Sequence, residues 1–422
     1  MKIFYGWKMV MAAAGLQFIQ SMMLYQAFGA YAAALIEEKG WSKTSVAGAS
    51  SLQSMEAVGI GAILGWFIDK YGSRQIIKIG TILFGVGFIL LSQLDSLPTL
   101  YGAMVVLAIG SSMAGYFPLN VGVIQWFEKK RARALSCVSL GLALGGMCVP
   151  VVAWSIQYFG WRGTAMCCGI VAILVGFPLA CVFRRRPEDF GEVVDGTPKV
   201  VTDPSVQSVS ATDDKPQPVF SVREALHTHA FWLLACGHCT ALIIVTAVNT
   251  HAINHMRISL GYTIPQAAVY ITLMTLFQVI GVLMGGYLGD KFEKRRVAAL
   301  CMLMHAAGLL SLTYATGPTA LVVFSVLHGL AWGIRGPFMQ AIRADYFGRG
   351  SIGMILGISG MLAALGQVTG PLLAGILGDA TGNYRLGFTV LACIAVGGSS
   401  LFWFAKRPPL PARLYRPALQ GA

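Results

Sequence analysis

One arginine stands alone inside a long apolar stretch of this 422-residue chain, within the segment 333–337. We predict that the surrounding stretch, 319–342, is a helix that crosses a membrane, which puts Arg335 ~10 Å from its nearer end. A guanidinium buried there costs ~2.5–3.5 kcal/mol, so it should face water or a partner. An anionic ligand would offset that cost, and a carboxylate matches the two parallel N–H donors. The alternative is that the side chain extends to the membrane surface or binds helix-end carbonyls.

Two further apolar stretches carry groups that can take up a proton. Glu56 lies near the middle of the stretch 46–67, where burial disfavours the charged carboxylate. His251 lies toward the end of the stretch 231–253, and an imidazole titrates near neutral pH. We predict that both couple a proton and that His251 also binds a ligand. Pairing of Glu56 with Arg335, and a helix-end role for His251, are the structural alternatives.

Neutral polar side chains are the remaining candidates for ligand contact. Tyr116 and Asn120 are four residues apart on one predicted helical face, and Trp332 lies three residues before Arg335 on the same face. Gln278 lies within another apolar stretch. Each of them can equally make a hydrogen bond between helices. Together they predict a polar, weakly charged path through the bilayer.

The elements that must position these residues are membrane-spanning helices. The chain is 56% hydrophobic and only 12% charged, with a mean hydropathy of +0.67. A soluble chain of this length would need more charge to cover its surface. We predict an all-α membrane protein with twelve spans, at 9–35, 46–67, 77–94, 99–125, 135–158, 164–183, 231–253, 267–288, 297–314, 319–342, 351–377 and 387–404.

The distribution of charge predicts the orientation. The formal net charge is +13, and most of the 31 lysines and arginines fall in alternate loops between the spans. This is the bias of cytoplasmic loops, so we expect both termini in the cytoplasm, with the first span retained rather than cleaved as a signal. The basic residues form no single solvated face, which argues against a nucleic-acid partner.

The sequence gives little support for a redox, nucleotide-driven or hydrolytic enzyme. The nine cysteines fall mostly in spans, and Cys236-Gly237-His238-Cys239 sits in an apolar run, unlike a thioredoxin-type redox pair. The sequence contains no Walker-type nucleotide loop, metal-ligand cluster or nucleophile–base set. We therefore expect no enzyme activity, no metal and no cofactor.

A polar stretch divides the chain into two similar halves. We place the boundaries at 1–186 for the first six-helix bundle, 187–222 for a cytoplasmic linker, and 223–422 for the second bundle with a short tail. The segment 65–74, with Gly65, Asp69 and Arg74, recurs at 286–295 with Asp290 and Arg295, a constant shift of 221 residues. Parallel repeats of this kind are typical of carriers whose halves rock about a site at the midplane.

The repeated loop also predicts a gate. We expect Asp69 to pair with Arg74 and nearby basic groups, and so to hold the cytoplasmic side shut in one state by about 1 kcal/mol. The alternative is that these charges only anchor the helix ends. Glycines four residues apart, such as Gly61 with Gly65 and Gly353 with Gly357, predict close helix contacts.

The loop motif at 65–74 resembles the signature of the major facilitator superfamily, as do its weaker copy and the six-plus-six layout. The copy departs from the pattern at Glu293, where the first loop has Gly72. The loops at 40–42, 160–162 and 345–349 are similar to those of bacterial monocarboxylate and oxalate–formate porters. This resemblance implies two pseudo-symmetric bundles, with spans one, four, seven and ten around the cavity, in the bacterial inner membrane.

The sequence also departs from that narrower group. The arginine that its members carry in span eight falls at Val282, and the lysine that oxalate porters carry in span eleven falls near Ser359. A dicarboxylate that needs two buried cations is therefore not expected. The resemblance and Arg335 together predict a monomeric secondary carrier that moves a small organic anion, a monocarboxylate, with a proton by alternating access. The alternative is a proton-driven efflux carrier for drugs or for neutral or cationic metabolites, with Glu56 as the binding carboxylate.

Overall fold

The computed structural model describes residues 4–25, 27–41, 43–196, 220–262 and 264–411, and within them all side chains except 33, 43, 44, 47, 48, 50–59, 264, 265 and 268. These residues form α-helices with short π and 3-10 turns, and no strand occurs among them. The helices are α1 Tyr5–Gln20, α2 Phe28–Lys39, α3 Lys43–Tyr71, α4 Ser73–Ser92, α5 Leu97–Ala114, α6 Tyr116–Ile124, α7 Arg131–Met147, α8 Val149–Cys181, α9 Val222–Leu226, α10 His229–Leu260, α11 Ile264–Lys291, α12 Lys294–Thr313, α13 Pro318–Phe347, α14 Ile352–Thr381 and α15 Arg385–Phe404.

The predicted twelve-span architecture is confirmed. Nine helical segments of the described chain are long and apolar enough to cross a membrane, and one of them, Arg131–Cys181, has 51 residues. That length suffices for two crossings, and its helix breaks at Cys148 and again at Gly160, where φ is +72°. Together with α3 and with the divided first span, these segments make twelve.

Two more spans are interrupted, besides the break at Cys148. The first consists of α1, a π turn at Ser21–Tyr25 and α2. The fourth consists of α5 and α6, which are separated at Gly115, whose backbone is extended (ψ −163°). Broken helices leave backbone groups without helical partners, and in a membrane such breaks occur where protein or a wet cavity surrounds them.

Each half has its own apolar core. One buried cluster draws on residues 220–405 alone, and a second joins helices of the first half. A third cluster also belongs to the first half but receives Ala341, Ala344, Ile352 and Leu356 from the second. The two halves therefore share packed apolar surface near the loops 70–74 and 291–295, which we call the motif end of the bundle.

The glycine pairs produce the close contacts that their spacing predicts. A Cβ on Gly65 would lie 2.5 Å from the Gly353 carbonyl oxygen, and one on Gly61 would lie 3.1 Å from that of Gly357. Helices α3 and α14, one from each half, thus touch backbone to backbone. Only residues without a side chain allow this approach, so the two glycine pairs determine how tightly the halves close.

Candidate functional site

The polar residues of the two halves meet at the centre of the interface. Arg335 of α13 lies within electrostatic range of Tyr116, the first residue of α6. The Tyr116 hydroxyl also lies 3.2 Å from Ser139 Oγ of α7. The break at Gly115 makes Tyr116 the first residue of a new helix. Two residues that the sequence singled out separately are therefore brought together across the interface.

Arg335 is buried and incompletely paired. Its residue is only 1% exposed, and its Nε and Nη1 atoms have no hydrogen-bond partner within the part of the chain that the structure describes. Its electrostatic neighbours include His238 and His328, which cannot neutralise it. A buried cation without a counter-ion is expensive, so this geometry favours a site that an anion completes.

A second buried arginine on the same helix provides a contrast. The Arg343 guanidinium donates to the carbonyl oxygens of Met339 and Leu234, the second at 3.2 Å. Arg343 thus has the helix-clamping role that was the alternative reading for Arg335. Arg335 makes no such bond with its Nε and Nη1 atoms.

The first half contributes neutral, buried polar groups that also lack partners. Asn120 lies one turn after Tyr116 and interacts with its hydroxyl. It is fully buried, and neither end of its amide otherwise has a hydrogen-bond partner among the described residues. The same is true of Gln17, and of the Gln20 carbonyl and the Ser21 hydroxyl, where α1 passes into the π turn. Buried amides without partners are rare in folded proteins, which marks this part of the first half as a place for water or a ligand.

The remaining predicted contacts are spread more widely. His251 Nε2 lies 3.0 Å from the Pro371 carbonyl oxygen of α14, and its ring packs at 5.0 Å on Tyr384. It is thirteen residues, or ~20 Å, along α10 from His238, so the structure does not bring it to Arg335. Trp332 is half-buried against the core of the second half.

Gln278 lies in α11 and Glu56 in α3. The Gln278 backbone packs against Gly329 and Gly333 of α13, beside Arg335 along the chain. Glu56 lies in α3, but its side chain is outside the described residues. The binding and proton-coupling roles of these residues and of His251 stay predictions.

The gating loop makes a different bond from the one expected. Asp69 Oδ1 accepts the backbone N–H of Gly353 at 2.9 Å, and Oδ2 accepts that of Met354 at 2.8 Å. The carboxylate therefore caps the start of α14 in the other half, where the helix dipole favours negative charge. Arg74 is exposed and has no ion pair with Asp69 in the described structure.

The second copy of the loop is more weakly bonded. The Asp290 carboxylate lies 3.4 Å from Nε of Arg133 in the first half. It also faces the backbone N–H groups of Ala132 and Arg133 at the start of α7, but within the described chain its oxygens do not reach the hydrogen-bond geometry that Asp69 has. Arg295 pairs with Glu293 and donates to the Trp403 carbonyl, so it stays within its own half. The repeat in sequence thus has unequal bonds in the structure.

Sequence reasoning missed the other bonds between the halves. Asp345 of α13 pairs with Arg131 of α7 and, at 2.8 Å, with Lys294. Gln125 Nε2 donates to the Arg349 carbonyl at 3.0 Å, and the Arg349 guanidinium donates to the Gln125 carbonyl at 2.6 Å. The partners that cross between the halves are more than 200 residues apart, so no local pattern signals them.

These bonds define the conformation. Hydrogen bonds and ion pairs join the two helical halves at the motif end, through Asp69, Gln125, Arg131, Arg133 and their partners. The structure is therefore closed at that end.

Comparison with known proteins identifies the family. A sequence profile of the Major Facilitator Superfamily matches residues 13–256 and again residues 240–418. The chain is 25% identical over 406 residues to monocarboxylate transporter 13 of Bos taurus, covering 94% of this chain and 88% of that protein. It is 24% identical over 358 residues to the hexuronate transporter of Escherichia coli K12, covering 81% and 80%. The proton:xylose symporter XylE superposes with a TM-score of 0.72 at 14% identity, over 95% of this chain and 96% of that one. Fold, repeat and profile agree, and the chain belongs to the Major Facilitator Superfamily of membrane transporters.

Proposed function

We propose that this transporter carries a monocarboxylate together with a proton, and that the anion binds Arg335 at the interface between the halves. The observation that carries the proposal is the buried Arg335 guanidinium with unpartnered Nε and Nη1 atoms. A carboxylate can accept two parallel N–H bonds from these atoms and neutralise the charge. The Tyr116 hydroxyl, on the other half, is placed to interact with the same ligand.

The number of available cations favours a single carboxylate. Arg343 is committed to two backbone carbonyls, so it does not offer a second binding fork. Val282 and Ser359, where the resembling porters carry basic residues, are both buried and uncharged. The neutral amides of Gln17 and Asn120 can bind a hydroxyl or carbonyl group of the ligand. We infer a small acid with one anionic group.

The contacts at the motif end support transport by alternating access. We place this end in the cytoplasm, because most lysines and arginines lie in the loops on that side. The structure then corresponds to a carrier that is closed toward the cytoplasm. A ligand that reaches Arg335 in this state comes from the other side, and its release needs the Asp69 and Asp345 bonds to break.

The relatives support an anionic substrate. The bovine relative is named a monocarboxylate transporter, and the bacterial one a hexuronate transporter, whose substrate class also carries one carboxylate. The alternative, an efflux carrier for cations, needs a buried carboxylate at the site. Around Arg335 the described electrostatic partners are Tyr116, Cys301, Arg343 and three histidines, none of them a carboxylate. Glu56, the carboxylate on which that alternative depends, has its side chain outside the described residues.

Counterflow in proteoliposomes tests the proposal. Vesicles preloaded with acetate, lactate, pyruvate or benzoate should exchange the same labelled acid through the wild-type protein. Arg335→Met should abolish this exchange, and Arg335→Lys should reduce it, because an ammonium group lacks the bidentate fork. Exchange of a cationic dye but of none of the four acids would refute the proposal in favour of the efflux carrier.

A further inference from the structure

Two histidines of the second half form a buried pair that the proposed anion site does not use. His305 of α12 and His328 of α13 are both 0% exposed, and their Nδ1 atoms lie 3.1 Å apart. Their ring centroids are 4.4 Å apart, with the planes nearly perpendicular. Neither Nε2 atom has a hydrogen-bond partner within the described chain.

The geometry limits the protons that the pair can hold. An Nδ1···Nδ1 hydrogen bond needs one ring to donate and the other to accept. In the neutral pair the donor ring therefore has a bare Nε2, and the acceptor ring carries its proton on Nε2. One added proton can bind the bare Nε2 and leave the Nδ1 bond intact. A second proton would have to occupy the accepting Nδ1 and break that bond, so the pair is a site for one proton.

The charge next to the pair is Arg335. His328 lies seven residues, two helical turns, before Arg335 on the same face of α13, and both histidines interact electrostatically with that guanidinium. Two other titratable groups lie around Arg335, His238 of α10 and Cys301 of α12. Neither of them is a described electrostatic partner of the pair.

We propose that the His305–His328 pair is the proton site of the carrier, coupled to the bound anion through Arg335. This inference rests on the proposed function. With the anion site empty, the positive Arg335 repels a proton from the pair. A carboxylate on Arg335 cancels that field, and a proton from water then adds to the bare Nε2. Net charge is conserved, since one anion and one proton enter together, and by linkage the proton favours anion binding to the same degree.

Proton uptake on anion binding tests the pair directly. The purified protein, in weakly buffered detergent solution near pH 7, is titrated with acetate, lactate, pyruvate and benzoate while pH and anion binding are recorded. We expect the wild type to take up a proton for each bound anion. Its affinity for the acid should fall by about tenfold for each unit that the pH rises, once the pair is deprotonated in the unliganded protein. In His305→Asn/His328→Asn the amides replace the ring Nδ1 atoms but do not titrate. This variant should bind the acid with no proton uptake and with a flat pH profile.

Two controls separate this inference from the proposed function. His255→Asn removes another buried histidine of the same half, one bonded to the Leu312 carbonyl, and it should keep proton uptake. Glu56→Gln tests the competing assignment made from the sequence, and if the pair is the proton site this variant should keep proton uptake. Three results would overturn the proton pair and leave the anion site standing. These are proton uptake that persists in the double variant, proton uptake that disappears in Glu56→Gln, and a wild type that binds acid without taking up a proton. Failure of all four acids to bind the wild type refutes the proposed function, and the proton pair with it. If the double variant does not fold, His328→Asn alone can replace it, since this change leaves His305 without its ring partner. The single variant should weaken the pH dependence of acid affinity, and an unchanged pH dependence would overturn the inference.

Discussion

Replacing Arg335 by methionine should remove anion binding and, at the same time, stabilise the unliganded protein. An arginine deep in a membrane helix costs ~2.5–3.5 kcal/mol, and here Nε and Nη1 lack partners that would offset the cost. Methionine has a similar length and needs no hydrogen bonds. The substitution should therefore recover most of that cost.

The expected change in melting temperature follows from the length of the chain. An unfolding entropy of ~2.1 cal/mol/K per residue over 422 residues gives ~0.9 kcal/mol/K. Removing the cost of burying the Arg335 charge then raises Tm by roughly 3–4 °C. An acid at a hundred times its Kd stabilises the wild type by ~2.7 kcal/mol, or about 3 °C, and should leave the variant unchanged.

Thermal unfolding in detergent, with and without the four acids, measures both effects. Arg343→Met is the matched control, because it removes two bonds to carbonyl oxygens and should lower Tm. A fall in Tm for Arg335→Met similar to that control would mean that Arg335 holds the helices together. An acid-induced shift that survives in Arg335→Met would refute the anion site itself.

Three further substitutions test the ligand contact and the closed end. Tyr116→Phe removes the hydroxyl that faces Arg335, so acid affinity should fall about fivefold at unchanged Tm, and an unchanged affinity would exclude the contact. Asp69→Ala removes two bonds to the start of α14 and should raise the labelling rate of a cysteine placed at the buried interface residue Ala344 by at least tenfold; an equal rate would exclude the cap as a gate. Gly65→Ala puts a Cβ 2.5 Å from the Gly353 carbonyl and should open the same end, whereas Gly360→Ala, with nothing within 4 Å, should not, and equal effects would contradict the close-contact argument.

The sequence predicts what depends on one helix at a time. Twelve apolar stretches, the shift of 221 residues and the glycine spacing each follow from local composition and period, and the fold confirms the spans and the helix contacts. The isolation of Arg335 was also visible, because a charge in an apolar run is unusual. Its lack of partners needed the structure.

What the sequence does not predict depends on partners far along the chain. Asp69 was expected to bond Arg74, five residues away, but its carboxylate caps a helix 284 residues away. The π turn at Ser21–Tyr25 and the break at Gly115 lie in stretches whose composition is equally suitable for continuous helix. The two halves impose these features when they pack, so single-helix reasoning has no access to them.

The unequal copies of the gating loop distribute the closing energy unevenly. Hydrogen bonds to a charged group are worth ~1.5–3 kcal/mol each, and Asp69 makes two of them across the interface. Asp290 faces the start of α7, with Arg133, Lys294 and the Ala132 backbone as electrostatic partners, but its oxygens do not reach the hydrogen-bond geometry of Asp69. Its ion pair with Arg133, whose side chain is 47% exposed, contributes at most about 1 kcal/mol. The contact of α3 with α14 therefore holds the motif end closed more strongly than the contact of α11 with α7. Since reversing a two-state equilibrium from 1:99 to 99:1 takes ~5.5 kcal/mol, the bonds of this single carboxylate supply a large part of the bias that a bound ligand must overcome.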